Sequence, residues 1–436
     1  MKYIYITIIL LFISSSIKAD DCFGGRYIDY IFDDYIVDAN NVFARKQTSN
    51  GVWQNLRYDV YLPKGDTETN RPAVFLAHGG GFINLIDQKS PDIVRIARDL
   101  VARGYVVFSV EYREEPTFLS LFSEEKMVKA LATALIDIRE ATCYLMDTTI
   151  NYNNPYGVDP SRVIIGGVSA GAVSFLQAVF LDSLTWAPPQ YEEWILEVEP
   201  NTQALLDNKY CGANVIGLIN VSGAILDTNW IKSYNADNYP PMMHVHGTSD
   251  DIVPYNIDRP FGLPTLPKLM GSYPIDQKLK SIGVRSELDT WNGLGHVPFF
   301  GLDLQALFSG NPLDFIFTPT VLNPTLKHIG EFCYSLLGCP ELVLNNSNNA
   351  YQELSFYPNP NYGKFTIELP SLQGSTHGNL QIMNGAGQIM YNQDINSNNT
   401  QIEINQALSK GIYTVVLNYD GPFEKKYFSE RMVVLD

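Results

Sequence analysis

Positive charge is scarce in this chain, and long apolar runs are few. The 436 residues include 30 Lys and Arg against 47 Asp and Glu, a formal net charge of −17. A surface this acidic repels phosphates, so we expect no nucleic-acid partner. Beyond the first residues, no apolar run is long enough to cross a bilayer, so we expect no transmembrane segment in the mature chain.

Cysteine is also rare, and none of the five cysteines has the CxxC spacing of a metal site. An odd number of cysteines leaves at least one free thiol or one intermolecular bond. Cys333 and Cys339 are close enough in sequence to close a small loop, so they are a candidate disulfide pair. The sequence leaves the other pairings open.

The N-terminal segment, residues 1–19, has the form of a secretory signal peptide. Lys2 precedes an apolar run over residues 4–13, and small residues lead to Ala19, where we expect cleavage. The alternative, a membrane anchor, needs a longer apolar run. We therefore predict a secreted protein, found outside the cell or at its surface.

Buried strands alternate with amphipathic helices over most of the chain, and a hydrophobic content of 45% is enough for a large core. This alternation predicts an α/β fold with a doubly wound, mostly parallel sheet covered by helices on both faces. The predicted strands cover residues 55–62, 73–77, 105–110, 163–165, 215–221, 242–245 and 284–291, and the predicted helices cover residues 89–103 and 124–145.

Two stretches, residues 185–211 and 254–274, interrupt this alternation. The first is rich in Trp, Pro and acidic residues, and the second in Pro, Gly and Leu. Insertions of this kind often form the walls of a substrate cleft, and the alternative is a surface excursion with a structural role.

The composition changes near Leu344. Residues 344–350 are an Asn-rich linker, which ends a main domain over residues 20–343. Beyond the linker, short strands of alternating polarity are separated by Gly, Pro and Asn turns. They predict a small all-β sandwich over residues 351–436.

Residues 162–173, RVIIGGVSAGAV, carry the most specific motif of the chain. A short buried strand is broken by two glycines, and an apolar helix follows Ser169. The sequence GVSAG between strand and helix is the form of a nucleophile elbow, in which Gly167 and Gly171 allow a tight turn. The alternative is a glycine-rich helix entry without a catalytic serine.

A serine nucleophile needs a base and an acid that orients the base, and on this fold they follow in the order Ser, Asp or Glu, His. Asp250 comes just after the strand at 242–245 and is the candidate acid, and the spacing alone does not exclude Asp251. His296 follows the strand at 284–291 on a glycine-flanked loop and is the candidate base. The alternative for His296 is a solvated loop histidine.

The strand at 73–77 ends in His78-Gly79-Gly80-Gly81-Phe82. Consecutive glycines leave backbone amides unobstructed, whereas the alternative is a flexible loop. The amides of Gly80, Gly81 and Ala170 are therefore the candidate donors of an oxyanion hole. Such a site requires no metal and no organic cofactor.

The motifs HGGGF, GVSAG, HGTSDDIVP and GLGH together resemble the α/β-hydrolase superfamily, in its carboxylesterase and lipase branch. The resemblance covers about residues 50–335. HGGG with a GxSxG elbow is similar to the hormone-sensitive-lipase and feruloyl-esterase-like groups. In the superfamily the acid belongs to an HGxxD turn, which implies Asp250, and the last two glycines of HGGG donate to the oxyanion, which implies Gly80 and Gly81. Residues 185–211 match no lid of that family.

The tail resembles the C-terminal sorting domain of type IX secretion in Bacteroidetes. The matching pieces are Tyr357-Pro358-Asn359-Pro360, Gly363-Lys364-Phe365, Gly411-Ile412-Tyr413 and Arg431-Met432-Val433-Val434. The resemblance implies export through the secretion machinery, often with removal of the tail. The alternative is a carbohydrate-binding sandwich.

These features predict a secreted serine hydrolase that cleaves carboxylic esters through a Ser-His-Asp triad and an acyl-enzyme. Its expected substrates are short-chain esters, feruloyl or acetyl esters on polysaccharide, or polyesters. One alternative is a serine peptidase of the prolyl-oligopeptidase type, although no blade-length repeat precedes the fold. Another is a non-catalytic binding protein on a hydrolase fold, although both Ser169 and His296 are present.

Overall fold

The structure is a computed structural model that describes residues 25–84, 87–117, 121–208, 210–300, 317–339, 355–358, 361–368, 378–384, 388–395, 401–420 and 425–435. The chain divides into two compact units, one formed by Arg26–Leu337 and a second that includes Gly338–Asp436. The predicted signal peptide, residues 1–19, and the predicted linker, residues 344–350, lie outside the described residues.

The first unit alternates strands and helices. Its strands are β1 Tyr35–Gln47, β2 Trp53–Pro63, β3 Arg71–Ala77, β4 Val106–Val110, β5 Val158–Val168, β6 Val215–Val221, β7 Met242–Gly247, β8 Ile257–Asp258, β9 Leu269–Met270 and β10 Ser286–Trp291. Its helices are α1 Pro91–Ala102, α2 Glu124–Asn151, α3 Ala170–Phe180, α4 Pro189–Val198, α5 Thr202–Asp207, α6 Ser272–Ser281 and α7 Pro319–Ser335.

The central sheet has the strand order β1-β2-β4-β3-β5-β6-β7-β10. Pairing is parallel from β4 to β10 and antiparallel for β1 with β2 and for β2 with β4. The predicted mostly parallel sheet is therefore confirmed. Because its central strands are parallel, their carboxyl ends meet at one edge, where the loops that carry the predicted site begin.

Both faces of the sheet are covered. All seven residues of β3 are buried, and successive residues of a strand point to opposite faces. Helix α1 packs beside α7, whereas α2 packs beside α3 and α4. This is the doubly wound arrangement that the near-continuous apolar strands predict.

The interrupting stretch at residues 185–211 is mostly helical. It contains α4 and α5, and it is fastened to α2 by the Cys143–Cys211 disulfide and by the Lys129–Glu197 ion pair at 2.5 Å. The second stretch, residues 254–274, contains the short antiparallel pair β8 and β9. Their role as cleft walls stays a prediction.

The predicted Cys333–Cys339 disulfide is wrong. Cys333 is a free thiol, fully buried near the end of α7. Because burial disfavours the thiolate, the pKa of Cys333 lies well above its ordinary value. One free thiol agrees with the odd cysteine count.

The second unit has strands β11 Ser355–Tyr357, β12 Lys364–Glu368, β13 Gly378–Asn384, β14 Ile389–Ile395, β15 Gln401–Asn405, β16 Gly411–Asp420 and β17 Lys425–Val434. They form two antiparallel sheets, β11-β12-β15 and β14-β13-β16-β17. Both sheets contribute to one apolar core, with Phe365 and Ile404 from the first and Leu380 and Val415 from the second. The predicted all-β sandwich is thus confirmed. None of the helices that the structure describes is long and apolar enough to cross a membrane.

Candidate active site

Ser169 occupies a strained turn between β5 and α3. Its φ of 52° and ψ of −119° lie outside the regions that L-residues normally adopt. The turn is held by the Ser169 amide, which donates to the Val221 carbonyl at 2.8 Å. A serine forced into this conformation by tertiary contacts is typical of a functional site.

The two glycines of the GVSAG motif allow β3 and α3 to approach closely. A Cβ on Gly167 would lie 2.5 Å from the Ala77 carbonyl oxygen, and one on Gly171 would lie 2.2 Å from the same atom. Any side chain at either position would therefore force the two backbones apart. This close approach sets the loop after β3 directly beside Ser169.

His296 lies between Ser169 and Asp250. Its Nε2 is 2.7 Å from the Ser169 Oγ, and its Nδ1 is 2.7 Å from the Asp250 Oδ2. The structure therefore brings the three predicted residues together, although they come from three separate loops. Asp251, the alternative acid, is exposed, whereas the side chain of Asp250 is fully buried.

The Asp250 carboxylate receives four hydrogen bonds. Oδ2 accepts from His296 and, at 3.0 Å, from His246, while Oδ1 accepts from the amides of Ile252 and Val253 at 2.9 Å each. Burial alone would raise the pKa of Asp250, but the nearby histidines lower it well below its ordinary range. Asp250 is therefore an ionised carboxylate.

His246 belongs to a buried polar chain that sequence reasoning missed. His246 Nδ1 is 2.7 Å from the Ser272 Oγ, and Asn220 Nδ2 lies 3.0 Å from that oxygen and 2.8 Å from His244 Nδ1. All four side chains are buried. A sequence signal exists, since His244 and His246 are two residues apart on β7 and so point to the same face.

The direction of each hydrogen bond in this chain follows from one fixed atom. Asn220 Oδ1 accepts from the Gly223 amide at 2.9 Å, so its Nδ2 donates to Ser272 and to His244. The Ser272 hydroxyl can then donate to His246 Nδ1, which leaves the His246 proton on Nε2, facing Asp250. Burial lowers the pKa of His244 to about 4, in agreement with a neutral ring that accepts at Nδ1.

The loops that carry Asp250 and His296 are locked to each other. The Ser249 amide donates to the Leu294 carbonyl at 2.9 Å, and a Cβ on Gly247 would lie 2.2 Å from that same oxygen. The Val297 amide donates to the Ser222 Oγ at 3.1 Å. These contacts fix the acid relative to the base, and neither could be found from local sequence.

The glycine loop after β3 presents unpaired donors beside Ser169. A Cβ on Gly79 would lie 3.2 Å from the Ser169 Cβ, and Gly80 and Gly81 have φ values of 108° and 64°. Among described residues, the amides of Gly80, Gly81 and Ala170 donate to no partner. Ala170 is the first residue of α3, where backbone amides have no intrahelical acceptor.

Tyr112 supports this loop and was not singled out by its sequence. Its hydroxyl lies 2.9 Å from the carbonyl oxygens of both His78 and Gly79, and its ring stacks on His78 at 4.6 Å. Burial lowers the pKa of His78 to about 4, so the ring is neutral. Within the part of the chain that the structure describes, no group of three or more His, Cys, Asp or Glu side chains could hold a metal ion.

Two family models match the chain. Residues 58–208 match BD-FAE, and residues 355–429 match the secretion system C-terminal sorting domain. The chain thus contains an esterase-like α/β-hydrolase domain and a type IX sorting domain, and the sorting domain marks a secreted or cell-surface protein.

Solved structures similar to this chain include an esterase from the Planctomycetes species Thermogutta terrifontis. Its propionate-bound form is 18% identical, with a TM-score of 0.45, over 72% of this chain and 98% of that one. Its butyrate-bound form is 17% identical, with a TM-score of 0.43, over 73% and 99%. Esterase 2 of that organism phosphorylated by paraoxon is 18% identical, with a TM-score of 0.43, over 70% and 95%. No curated protein matches the chain.

Proposed function

We propose that the protein is a secreted serine hydrolase that cleaves carboxylic esters through an acyl-enzyme. The observation that carries the proposal is the continuous contact from Ser169 Oγ through the His296 ring to Asp250 Oδ2, at 2.7 Å on each side. A nucleophile within reach of a base, with the base oriented by a buried carboxylate, is the arrangement that acyl transfer requires.

In the acylation step, the Ser169 Oγ attacks the ester carbonyl carbon while His296 Nε2 takes the hydroxyl proton. The π electrons of the carbonyl move to its oxygen, which is stabilised by the amides of Gly80, Gly81 and Ala170. Each such donor supplies about 3–4 kcal/mol of transition-state stabilisation. The intermediate then collapses, the bond to the alcohol oxygen breaks, and the imidazolium returns its proton to the departing alcohol.

Deacylation repeats these transfers with water in place of the serine. His296 removes a proton from water as the water oxygen attacks the acyl carbon, and it then protonates Ser169 as the carboxylic acid leaves. Asp250 holds the imidazole with its proton on Nδ1 and stabilises the cation in both steps. No metal and no organic cofactor takes part.

The substrates we propose are short-chain esters, feruloyl or acetyl esters on polysaccharide, and polyesters. The BD-FAE match supports an ester rather than a peptide. The sorting-domain match supports export, with the tail read by the secretion machinery.

A substrate panel tests the proposal. The exported chain is assayed with p-nitrophenyl esters of increasing acyl length, with methyl ferulate and with a peptide p-nitroanilide, and Ser169→Ala is the control. We expect ester turnover in the wild type, none above background in the variant, and no cleavage of the anilide. Turnover unaffected by Ser169→Ala, or a preference for the anilide, would overturn the proposal.

A further inference from the structure

A second cavity opens at the same edge of the sheet as Ser169. It has a volume of about 540 Å³ and is lined by polar side chains with one large aromatic among them: Arg45, Trp53, Asn55, Arg57, Asn84 and Glu114. None of these residues belongs to the candidate active site.

The register of the sheet explains where this cavity lies. Tyr58 of β2 pairs with Val110, the last residue of β4, so the preceding residues of β2 project beyond the end of β4. Together with the end of β1 they form one wall of the cavity. In the strand order, β2 is three positions from β5, which carries Ser169, or about 14 Å across the sheet.

The opposite wall is joined to the glycine loop of the candidate active site. Asn84 is three residues beyond Gly81, and its amide donates to the Glu115 carbonyl at 3.0 Å. The Glu115 amide donates in turn to the Phe82 carbonyl at 2.7 Å. The cavity and the proposed oxyanion donors are therefore held by one short, hydrogen-bonded segment.

The lining combines an aromatic surface with cationic charge. The side chain of Trp53 is 57% exposed, and the Arg45 guanidinium lies 5.3 Å from its ring centre. Arg45 forms no ion pair with a described residue, while Arg57 lies 3.8 Å from Glu111. Positive charge concentrated at one cavity stands out in a chain with a net charge of −17.

Glu114 does not cancel this charge. Its Oε1 is buried and has no hydrogen-bond partner among the described residues. Burial, together with the nearby Glu111 and Asp87, raises the pKa of Glu114 to about 10, so at neutral pH it is a protonated donor. The cavity thus offers two guanidinium groups and a neutral acid to a ligand.

We propose that this cavity binds a carboxylate-bearing sugar unit of the polysaccharide whose ester is cleaved at Ser169. The sugar ring packs on Trp53, and its carboxylate is bound by Arg45 and Arg57, since guanidinium groups match carboxylates in both charge and geometry. Amides such as Asn55 and Asn84 pair with the hydroxyls. The assignment of the substrate class rests on the proposed esterase function, whereas the binding of the acidic sugar does not require turnover.

Calorimetry of the full chain with trigalacturonate, and with neutral xylotriose for comparison, tests the binding. We expect trigalacturonate to bind the wild type and Ser169→Ala equally, and xylotriose to bind much more weakly. Trp53→Ala and Arg45→Ala should each raise the Kd for trigalacturonate about tenfold, the effect of losing one good contact to a charged group.

Two variants serve as matched controls, and circular dichroism verifies the folding of all of them. Tyr152→Ala removes an equally exposed aromatic side chain from the end of α2, and Arg98→Ala removes a guanidinium that lies 4.9 Å over the Tyr35 ring. Both should leave the Kd unchanged. Equal binding of xylotriose, absence of trigalacturonate binding, or binding that the Trp53 and Arg45 variants leave intact would each overturn the proposal.

Turnover separates this proposal from the proposed function. On acetylated polygalacturonate, Trp53→Ala and Arg45→Ala should raise KM about tenfold relative to the control variants, with a smaller change on neutral acetylated xylan. If the chain binds trigalacturonate but hydrolyses no ester, the esterase proposal fails while the binding site stands. If it hydrolyses esters without binding trigalacturonate, the reverse holds.

Discussion

At the scale of single residues, the site depends on how Asp250 is held. Two backbone amides bind one of its oxygens and two histidines bind the other, so all the usual acceptor positions of a carboxylate are filled. A carboxylate fixed in this way cannot rotate away from His296. His246 is accordingly a positioning residue that acts through Asp250.

Replacing His246 tests this role. In His246→Leu the Asp250 Oδ2 loses one of its two donors, so the acid holds the His296 ring less firmly. We expect kcat on p-nitrophenyl acetate to fall by about tenfold or more, the usual effect of losing a hydrogen bond to a charged group, with little change in KM.

His328→Leu is the matched histidine control, because His328 contacts Glu287 and Asp289 and none of the triad. Asp250→Asn supplies the upper limit, a loss of about 10⁴ in kcat. A folded His246→Leu enzyme with wild-type kcat would show that Asp250 needs only its backbone donors.

Ser169, Asp250 and His296 could be predicted because each lies in a short motif with a required order along the chain. His246, Ser222 and Tyr112 could not, because what they do depends on which groups the fold places opposite them. Ser222, for example, accepts from the Val297 amide, 75 residues away in sequence. Local spacing carries no signal for such a contact.

At the scale of secondary-structure elements, an ion cluster joins α7 to the edge strand β10. His328 on α7 has Nδ1 2.8 Å from Asp289 Oδ2 and Nε2 2.9 Å from Glu287 Oε2. Hydrogen bonds to Asp289 and Glu287 raise the pKa of His328 to about 10. Protonated His328 therefore stabilises the contact between helix and strand.

This cluster makes a prediction about pH. The folded-state pKa of His328 lies above the ordinary value of about 6.5, so its stabilising contribution is complete below about pH 6.5 and is lost as pH rises through about 10. The difference in melting temperature between wild type and His328→Leu should be largest at pH 6 and should shrink toward pH 10.

Thermal melts at several pH values measure this difference. Lys327→Ala on the same helix is the control, because Lys327 is highly exposed and lies 3.7 Å from Glu331. Its effect on the melting temperature should be small throughout. A His328→Leu difference that stays constant from pH 6 to pH 10 would contradict a protonated, ion-paired histidine.

Most elements of the sheet could be predicted, because strands buried on both faces read as continuous apolar runs. Strand β1 could not, because it is an edge strand with mostly exposed residues and no alternation. Helix α7 also escaped prediction, since it begins at Pro319 and contains Pro324, residues that usually argue against a helix. Tertiary packing of its apolar face overrides that signal.

At the scale of the whole molecule, the two compact units have separate apolar cores. Ser169, Asp250 and His296 all lie within Arg26–Leu337, and the second unit has its own core between two antiparallel sheets. The division of labour that we propose assigns hydrolysis to the first unit and export to the second.

A chain that ends at residue 343 tests this division. Because the triad and the core around it lie in the first unit, we expect the truncated protein to keep kcat and KM on p-nitrophenyl acetate within about twofold of the full chain. The same truncation carrying Ser169→Ala gives the background. A folded truncated protein without activity would mean that the sorting domain contributes to the site.

The central claim is that Ser169 is a nucleophile activated by His296, and covalent labelling tests it most directly. The folded chain is treated with a fluorophosphonate, digested, and analysed by peptide mass spectrometry, with Ser169→Ala and His296→Ala in parallel. We predict one adduct on Ser169 in the wild type, none in Ser169→Ala, and a much slower reaction in His296→Ala. Folded wild-type protein that takes up no label at Ser169, or takes it up equally fast without His296, would contradict the account.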